Sequence, residues 1–443
     1  MKKIIPVVLI ALLAIFLGGP YLTGKIAESE TQKIITNLNQ SSSEYGLTEI
    51  VSYERGMRST KSKYRYTLPP TFATLVDRTE PIEYSCDSTH GITGIDFNCK
   101  FDGESDYSKF VAQNLDGKDP LSIYGSVSAF GGLSQTISFS EVKDLEVEGE
   151  KLNLPNMKIE VSTDASMENF DINGASDAFS IDSEKGKLSL GKMSIGGDLN
   201  RLKSKLFTGD FKIDVASFDI KEDQVNSSFK NLSITTSTKE NGDNLDSTVN
   251  FTTDEIAVTN EILKTIEDVG FSITANGLDI QALVEYQEFF SQMQQDMLAS
   301  ASNENQPQVD PMQMAALMPV IERMLKEGLH VSTDLKAKLN GEPSNFNLDL
   351  KLLEAITLAQ LPAFMAQPDE SLKKVDVSLG LALNKKLIDS QPMVAGMISQ
   401  SPLISAAKND YTIDLKLGEK IELNGKAMSF QELQILVLSN LPM

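Results

Sequence analysis

The stretch HVSTDLKAKLNGEPSNFNLDLKL, residues His330–Leu352, decides the fold class. Val331, Leu335, Ala337 and Leu339 alternate with Ser332, Asp334, Lys336 and Lys338, and then Phe346, Leu348, Leu350 and Leu352 alternate with Asn347, Asp349 and Lys351. Successive side chains of a strand point to opposite faces, so this period of two predicts strands with one dry face and one wet face. Asn340-Gly341 lies between the two runs, where a hairpin turn or a strand exit belongs. The alternation returns at Val375–Leu383, Tyr411–Leu417 and Ile421–Leu423, the last followed by Asn424-Gly425.

Upstream, the same theme runs through Ile123–Val127, Leu133–Phe139, Leu188–Ile195, Phe211–Val215, Leu232–Ile234, Val249–Phe251 and Ile256–Val258. Clusters of Gly, Asn, Asp and Ser, such as Glu240–Asn244, divide these runs and predict a long antiparallel meander. No fixed period emerges, so a regular solenoid is not supported. Three helices are expected between the strand-rich regions. Thr259 or Asn260 caps one carrying Ile262, Leu263 and Ile266 and stopped at Gly270, and Asp279 caps a second carrying Ile280, Leu283, Val284, Tyr286, Phe290 and Met297. A polar link, Ala299–Asp310, precedes a third that carries Met312, Met314, Leu317, Met318, Ile321, Met324 and Leu325 and ends at Gly328. Near the end, Ser429-Phe-Gln-Glu432 matches a capping box before an apolar docking helix too short to cross a bilayer.

At the other end, Ile4–Leu22 is an uncharged, almost wholly apolar run behind Lys2 and Lys3. As a helix it spans about 28 Å, enough to cross a hydrocarbon core. Phe16-Leu-Gly-Gly-Pro20 lacks the small-residue cleavage pattern of a secretory signal, so the run is expected to remain as a transmembrane anchor, with the body in the periplasm. A helical stalk follows, in which Ile26, Ile34, Ile35 and Leu38 recur near helical spacing. Strands then take over from Leu47, the first two joined near Gly56.

The two cysteines, Cys86 and Cys99, occupy a hairpin pattern. Ile82, Tyr84 and Cys86 alternate on one side and Ile95, Phe97 and Cys99 on the other, with turn formers over Asp87–Gly94. If Cys86 faces Cys99, then Tyr84 faces Phe101, and a structural disulfide suits an oxidising compartment. The rival reading adds His90 as a third metal ligand, which falls short of a closed zinc shell, so no metal is expected.

The resulting plan has an anchor (1–23), an N-terminal helix with strands and the Cys hairpin (24–110), an antiparallel strand-rich region (111–260), a helical segment (261–328) and a C-terminal strand-rich region with a terminal helix (329–443). The fold class is strand-dominated α+β: a membrane helix and stalk, then a long curved antiparallel sheet with a few helices packed on its apolar face. Forty Lys and Arg against 62 Asp and Glu give a net charge of −22, which repels nucleic acid and anionic head groups. Lys61, Lys63 and Arg65 form the nearest basic group and read as a solvated strand face.

Gly24-Lys25-x-x-Glu28, Leu38-Asn39 and Tyr53-Glu-Arg55-Gly56-Met-Arg-Ser59 resemble the YdgA-like family of bacterial envelope proteins, a domain of unknown function. Met57 stands where many members carry an aromatic residue. The resemblance covers short motifs and the whole-chain layout. It implies a Gram-negative inner-membrane anchor, a periplasmic body and no established activity.

Read physically, Gly56 supplies a positive φ in a turn, and Arg55 holds a carboxylate such as Glu28 and fixes the stalk to the sheet. Gly24, Glu28, Tyr53, Arg55, Gly56 and Ser59 are therefore expected to be architectural. The methionines Met293, Met297, Met312, Met314, Met318 and Met324 fill core gaps or line an apolar groove for lipid or peptide. The chain has two histidines, His90 and His330, and no Gly-x-Ser-x-Gly elbow. No catalytic residue or cofactor is expected. The preferred function is a non-enzymatic scaffold or binding protein whose partners are the membrane, a lipid or envelope protein, and a second copy of itself; the alternative is an envelope hydrolase with a hidden carboxylate centre, betrayed by a buried pair of raised pKa.

Overall fold

The computed structural model describes residues 22–26, 28–36, 39, 46–68, 81–103, 105–129, 131–147, 149–184, 186–203, 206–222, 225–258, 265–301, 311–360, 368–390, 395–396, 398 and 401–438. The expected anchor, except for its last residues, lies outside them, as do most of the link 302–310 and residues 259–264. Among the described residues no helix is long and apolar enough to cross a membrane.

Strands dominate, and the strand pairings of the described residues are antiparallel. The described residues fall into two compact units. One comprises those within Met1–Glu184, Lys192–Phe207 and Met293–Gln306, and the other those within Lys185–Gly191, Thr208–Gln292 and Pro307–Met443.

The first unit carries β1 (Leu47–Arg55), β2 (Ser59–Thr67), β3 (Ile82–His90), β4 (Gly94–Phe101), β5 (Leu121–Ser128), β6 (Leu133–Phe139), β7 (Val142–Val147), β8 (Glu150–Leu154), β9 (Met157–Thr163), β10 (Asn169–Ser176) and β11 (Phe179–Ser183). Strands β1 to β6 pair in chain order. β6 then pairs with β9, and β9 with β10. β7, β8 and β11 form a branch. The buried centre is Ile95 and Val127, packed by Phe97 and Leu133.

After β12 (Gly186–Leu190), β13 (Met193–Lys203) returns to pair with β10 in the first unit. The second unit runs through β12, β14 (Leu206–Glu222, from its third residue), β15 (Val225–Asn241), β16 (Asn244–Val258), β17 (Thr265–Asp279), β18 (His330–Leu339), β19 (Glu342–Leu352), β20 (Val375–Asn384), β21 (Ser405–Ala406), β22 (Asp410–Leu417), β23 (Ile421–Leu423) and β24 (Lys426–Met428). Consecutive strands from β14 to β20 pair, and β20 pairs with β22. The turn between β18 and β19 is Asn340-Gly341, with φ of 51° and 81°, the positive pair that a two-residue hairpin with matching twist requires. Asn424-Gly425 does the same between β23 and β24, with φ of 51° and 75°.

Period two across these strands brings eight apolar residues into one row. Ile213 faces Ile234, which faces Phe251, then Phe271, Leu335, Phe346, Leu381 and Ile413. At one end, Leu329, Leu352, Ile356 and Val375 form a buried core with Leu278, Leu325 and Val377.

Several expectations are corrected. The helix expected to end at Gly270 is strand from Thr265 onward, and Ile266 pairs with Ile256 and Leu339 in the ladder. Three apolar residues at mixed spacing carry too weak a helical signal to compete with two neighbouring strands. Leu188–Ile195 is two strands, β12 and β13, broken at Gly191, where an added Cβ would come within 2.8 Å of the Ser217 amide nitrogen. Val249–Phe251 and Ile256–Val258 belong to one strand, β16, because polar Thr252–Glu255 still completes its ladder. The hairpin turn expected over Asp87–Gly94 shrinks to Gly91–Thr93, since β3 continues through His90. Helices Ile280–Ala301 and Pro311–Met324 form as expected, the first capped by Asp279, whose Oδ1 accepts from the Ala282 amide at 2.8 Å. Tyr286 and Phe290, expected to be covered, are exposed side by side with ring centroids 5.7 Å apart. The capping box at Ser429 and Glu432 closes both ways, at 2.7 and 3.3 Å, and Leu433 docks while Ile435 and Val437 remain exposed.

Candidate functional site

Residues 22–26 and 28–36 are helical and lie on the inner face of the first unit's sheet. Gly24, Glu28, Thr31 and Ile35 fall at helical spacing, so they share one face. Each is used. Gly24 lies under the His90 ring, where an added Cβ would come within 2.4 Å of Nδ1 and Cε1, so only a hydrogen fits there. Next to it, Thr23 Oγ1 donates to the Ile92 carbonyl at 3.1 Å. Glu28 Oε2 lies 3.2 Å from Arg55 Nη1 on β1. At the far end, Asn39 clasps Thr48, accepting from its amide at 2.9 Å and donating to its carbonyl at 2.8 Å.

Beneath this contact runs a buried polar line. Thr60 on β2 is 2% exposed, and its Oγ1 lies 2.7 Å from His90 Nε2. The Tyr53 hydroxyl, from β1, bonds the same threonine side chain. His90 is 4% exposed, so its ring is a packed structural element of the helix seat. Gly56 does not adopt positive φ as expected; its amide donates to the Ser59 carbonyl at 2.7 Å, and the tightness of that turn leaves an added Cβ 3.2 Å from the same oxygen.

Beside the polar line a cavity of about 160 Å³ opens between helix and sheet. Thr31, Ile34 and Ile35 form the helical wall, and Ile95, Phe97, Val127 and Leu133 the apolar floor. The Cys86–Cys99 disulfide crosses that floor, with Tyr84 facing Phe101 one step along in the register the sequence implies. Phe97 faces Gly125, where a Cβ would come within 2.7 Å of the ring, so the missing side chain makes room for the aromatic. Tyr53, Tyr64 and Tyr84 complete the lining. Tyr64 and Tyr84 stack directly across β2 and β3 with centroids 5.2 Å apart.

A family described as "Bacterial protein of unknown function (DUF945)" matches residues 1–431. The chain belongs to this family. No curated protein matches it, and no solved structure does. In this DUF945 member, the motif residues Gly24, Glu28, Asn39, Tyr53 and Arg55 gather on one helix-to-sheet contact.

Electrostatics of this DUF945 site follow from its burial. Burial pushes the Tyr84 phenol up to about 12, with Tyr64 adding to the effect, and burial likewise raises Tyr64 and Tyr53, the latter against a lowering bond from Thr60. The phenols therefore stay neutral and serve as hydrogen-bonding groups on an apolar wall. On the opposite, wet face, Lys63 bridges Glu83 at 2.6 Å and Asp102 at 2.7 Å, and Arg65 binds Glu83 at 2.8 Å. Bonds from Lys63 and Arg65 hold Glu83 low, and the Lys63 bond holds Asp102 low. The charges of Lys63 and Arg65 are thereby paired within the sheet.

The sulfurs of Cys86 and Cys99 are bonded to one another, so they hold no metal. Among the described residues no group of three or more His, Cys, Asp or Glu gathers to bind an ion. His330 pairs with Asp349 at 2.7 Å in the other unit. Of the methionines, Met318 is exposed and Met293 and Met324 are half-buried, while the side chains of Met297, Met312 and Met314 lie outside the described residues. The cavity of the first unit is lined by Thr31, Ile34 and Ile35 of the helix and by strand aliphatics and aromatics. Sequence reasoning missed Thr60, Tyr64 and Leu133 as neighbours; the available signal was the period-two placement of Ser62 and Tyr64 beside Tyr84 and Cys86.

Proposed function

We propose that this protein is a non-enzymatic binding protein of the bacterial envelope, anchored in the inner membrane with its body in the periplasm, and that it holds a lipid acyl chain between its N-terminal helix and the disulfide-bearing face of its first sheet. The carrying observation is the cavity lined by Ile34, Ile35, Ile95, Val127 and Leu133, with neutral phenols at one side. Mostly apolar walls with few convergent polar groups are the lining expected of a site for an apolar ligand. Its helical wall begins nine residues after Leu22, so at 1.5 Å per residue the site sits within about 20 Å of a bilayer spanned by Ile4–Leu22. That proximity favours a lipid chain over a peptide. Among the described residues the carboxyls whose pKa is displaced, Glu83, Asp102, Asp164, Asp279 and Glu432, are displaced downward, which favours binding over the acid chemistry of a hydrolase.

Native extraction of the full chain followed by lipid mass spectrometry tests this. The expected result is a co-purifying acyl species that is lost in Leu133→Trp, which fills the hollow. Absence of any acyl species from the unaltered protein would end the proposal.

A further inference from the structure

The wet face of the first unit, on the side of the sheet opposite the acyl cavity, carries a second concavity of about 550 Å³ across β3 to β6. Two in-register rows of polar side chains form it. In one row Asp87 faces Asn98, which faces Tyr124, which faces Thr136. In the neighbouring row Thr89 faces Asp96, then Ser126 and Ser134.

Nearby, Ser85 is bonded to Asp102, Lys63 to Glu83 and Lys158 to Glu160. Within the hollow, the side chains of Asp87, Asp96, Asn98 and Thr136 have no hydrogen-bond or ion-pair partner among the described residues. Thr136, 7% exposed as a residue, lines the floor of the hollow. Tyr124, 41% exposed, offers a ring face beside it.

The geometry points to a saccharide site. We infer that this hollow binds a neutral oligosaccharide, with Tyr124 stacking on a sugar ring and Asn98, Asp96 and Thr136 bonding its hydroxyls. Carboxylates accept from hydroxyls, while amide and threonine both donate and accept, which suits a polyhydroxylated ligand. No Lys or Arg lines the hollow and two carboxylates do, so an anionic ligand such as phosphate is disfavoured. A hard divalent cation takes six or more oxygen ligands. Asp87 and Asp96 stand in different rows as diagonal neighbours, which poorly gathers them on one ion. Adjacent strands repeat at about 4.8 Å, close to the repeat of sugar rings along an extended glycan. The hollow opens on the other face of the sheet from the acyl cavity, with Phe97 shared between the two linings, and its test reads sugar rather than acyl chain, so the two readings fail separately.

The test is isothermal titration of the full chain in detergent micelles with three tetrasaccharides, of β-1,4-linked N-acetylglucosamine, β-1,4-linked glucose and α-1,4-linked glucose, and with calcium alone. Saturable binding of at least one sugar is expected, weakened about tenfold in Tyr124→Ala and severalfold in Asn98→Ala and in the isosteric Thr136→Val. Circular dichroism verifies folding; should Tyr124→Ala unfold, the other two variants decide. No saturable binding of any sugar, binding unchanged in the folded variants, or heat from calcium alone that Asp96→Asn abolishes would each overturn the assignment.

Discussion

Gly24 shows how a single hydrogen atom can set the position of a helix. Its Cα meets the His90 ring so closely that any side chain would overlap Nδ1 and Cε1 at 2.4 Å. His90 cannot yield easily, because Thr60 holds Nε2 at 2.7 Å and the imidazole is buried. Gly24→Ala is therefore expected to destabilise the protein by about 1–3 kcal/mol through overpacking, read as a lower denaturant midpoint at unchanged slope. An unchanged midpoint would show that the helix slides freely on the sheet. The Gly-x-x-x-Glu spacing was visible in the sequence, but its purpose was not, since His90 is 66 positions away and belongs to another element. The Arg55–Glu28 contact was legible because an arginine near a turn and a carboxylate in a helix were the obvious complementary charges. Gly56 was misread because close packing and positive φ leave the same sequence mark.

At the scale of the element, the β3–β4 hairpin carries both the disulfide and half of the tyrosine stack. Its bond closes a separation of 13 residues, which in the chain-entropy picture is worth about 3 kcal/mol. The stack makes stability depend on alkaline pH. Tyr84 ionises near its ordinary value of 10.0 in the unfolded chain and at about 12 in the fold. Its contribution is complete below pH 10 and is lost as pH rises towards 12, because the unfolded state releases the proton first. Two pKa units correspond to about 2–3 kcal/mol as an upper bound. Denaturant midpoints should fall across that window and fall less in Tyr84→Phe; an equal fall in both proteins would place the sensitivity elsewhere. Hairpin register was legible from alternation alone, because a slip of one residue would turn Tyr84 and both sulfurs to water. The true length of β3 was not, since Asp87–His90 is rich in turn formers and its neighbours on β2 and β4 decide that it is strand.

Across the whole molecule, the largest feature is the apolar row of the second unit, from Ile213 to Ile413. Leu335 within it, and Val249 and Ile273 beside it, are each 37% exposed, so part of this face meets solvent. Contiguous exposed apolar surface should bind a hydrophobic dye in the native state. Leu335→Lys is expected to cut that dye fluorescence markedly while moving stability by less than about 1 kcal/mol, as an exposed position allows. A large loss of stability instead would mean that Leu335 is covered in solution.

The sequence by itself determined the strand-dominated class, the antiparallel pairing implied by Asn-Gly turns, the partner of each cysteine and the two central helices that form. All of these depend on neighbours along the chain, where periodicity, caps and turn chemistry act directly. Only the tertiary structure decided that residues 265–270 are strand, that His90 seats the N-terminal helix, that the cavity lies between that helix and the sheet, and that eight apolar residues from eight strands fall in one row. Those outcomes require partners tens to hundreds of positions apart, and the free energy that selects them comes from pairing and packing that no local pattern contains.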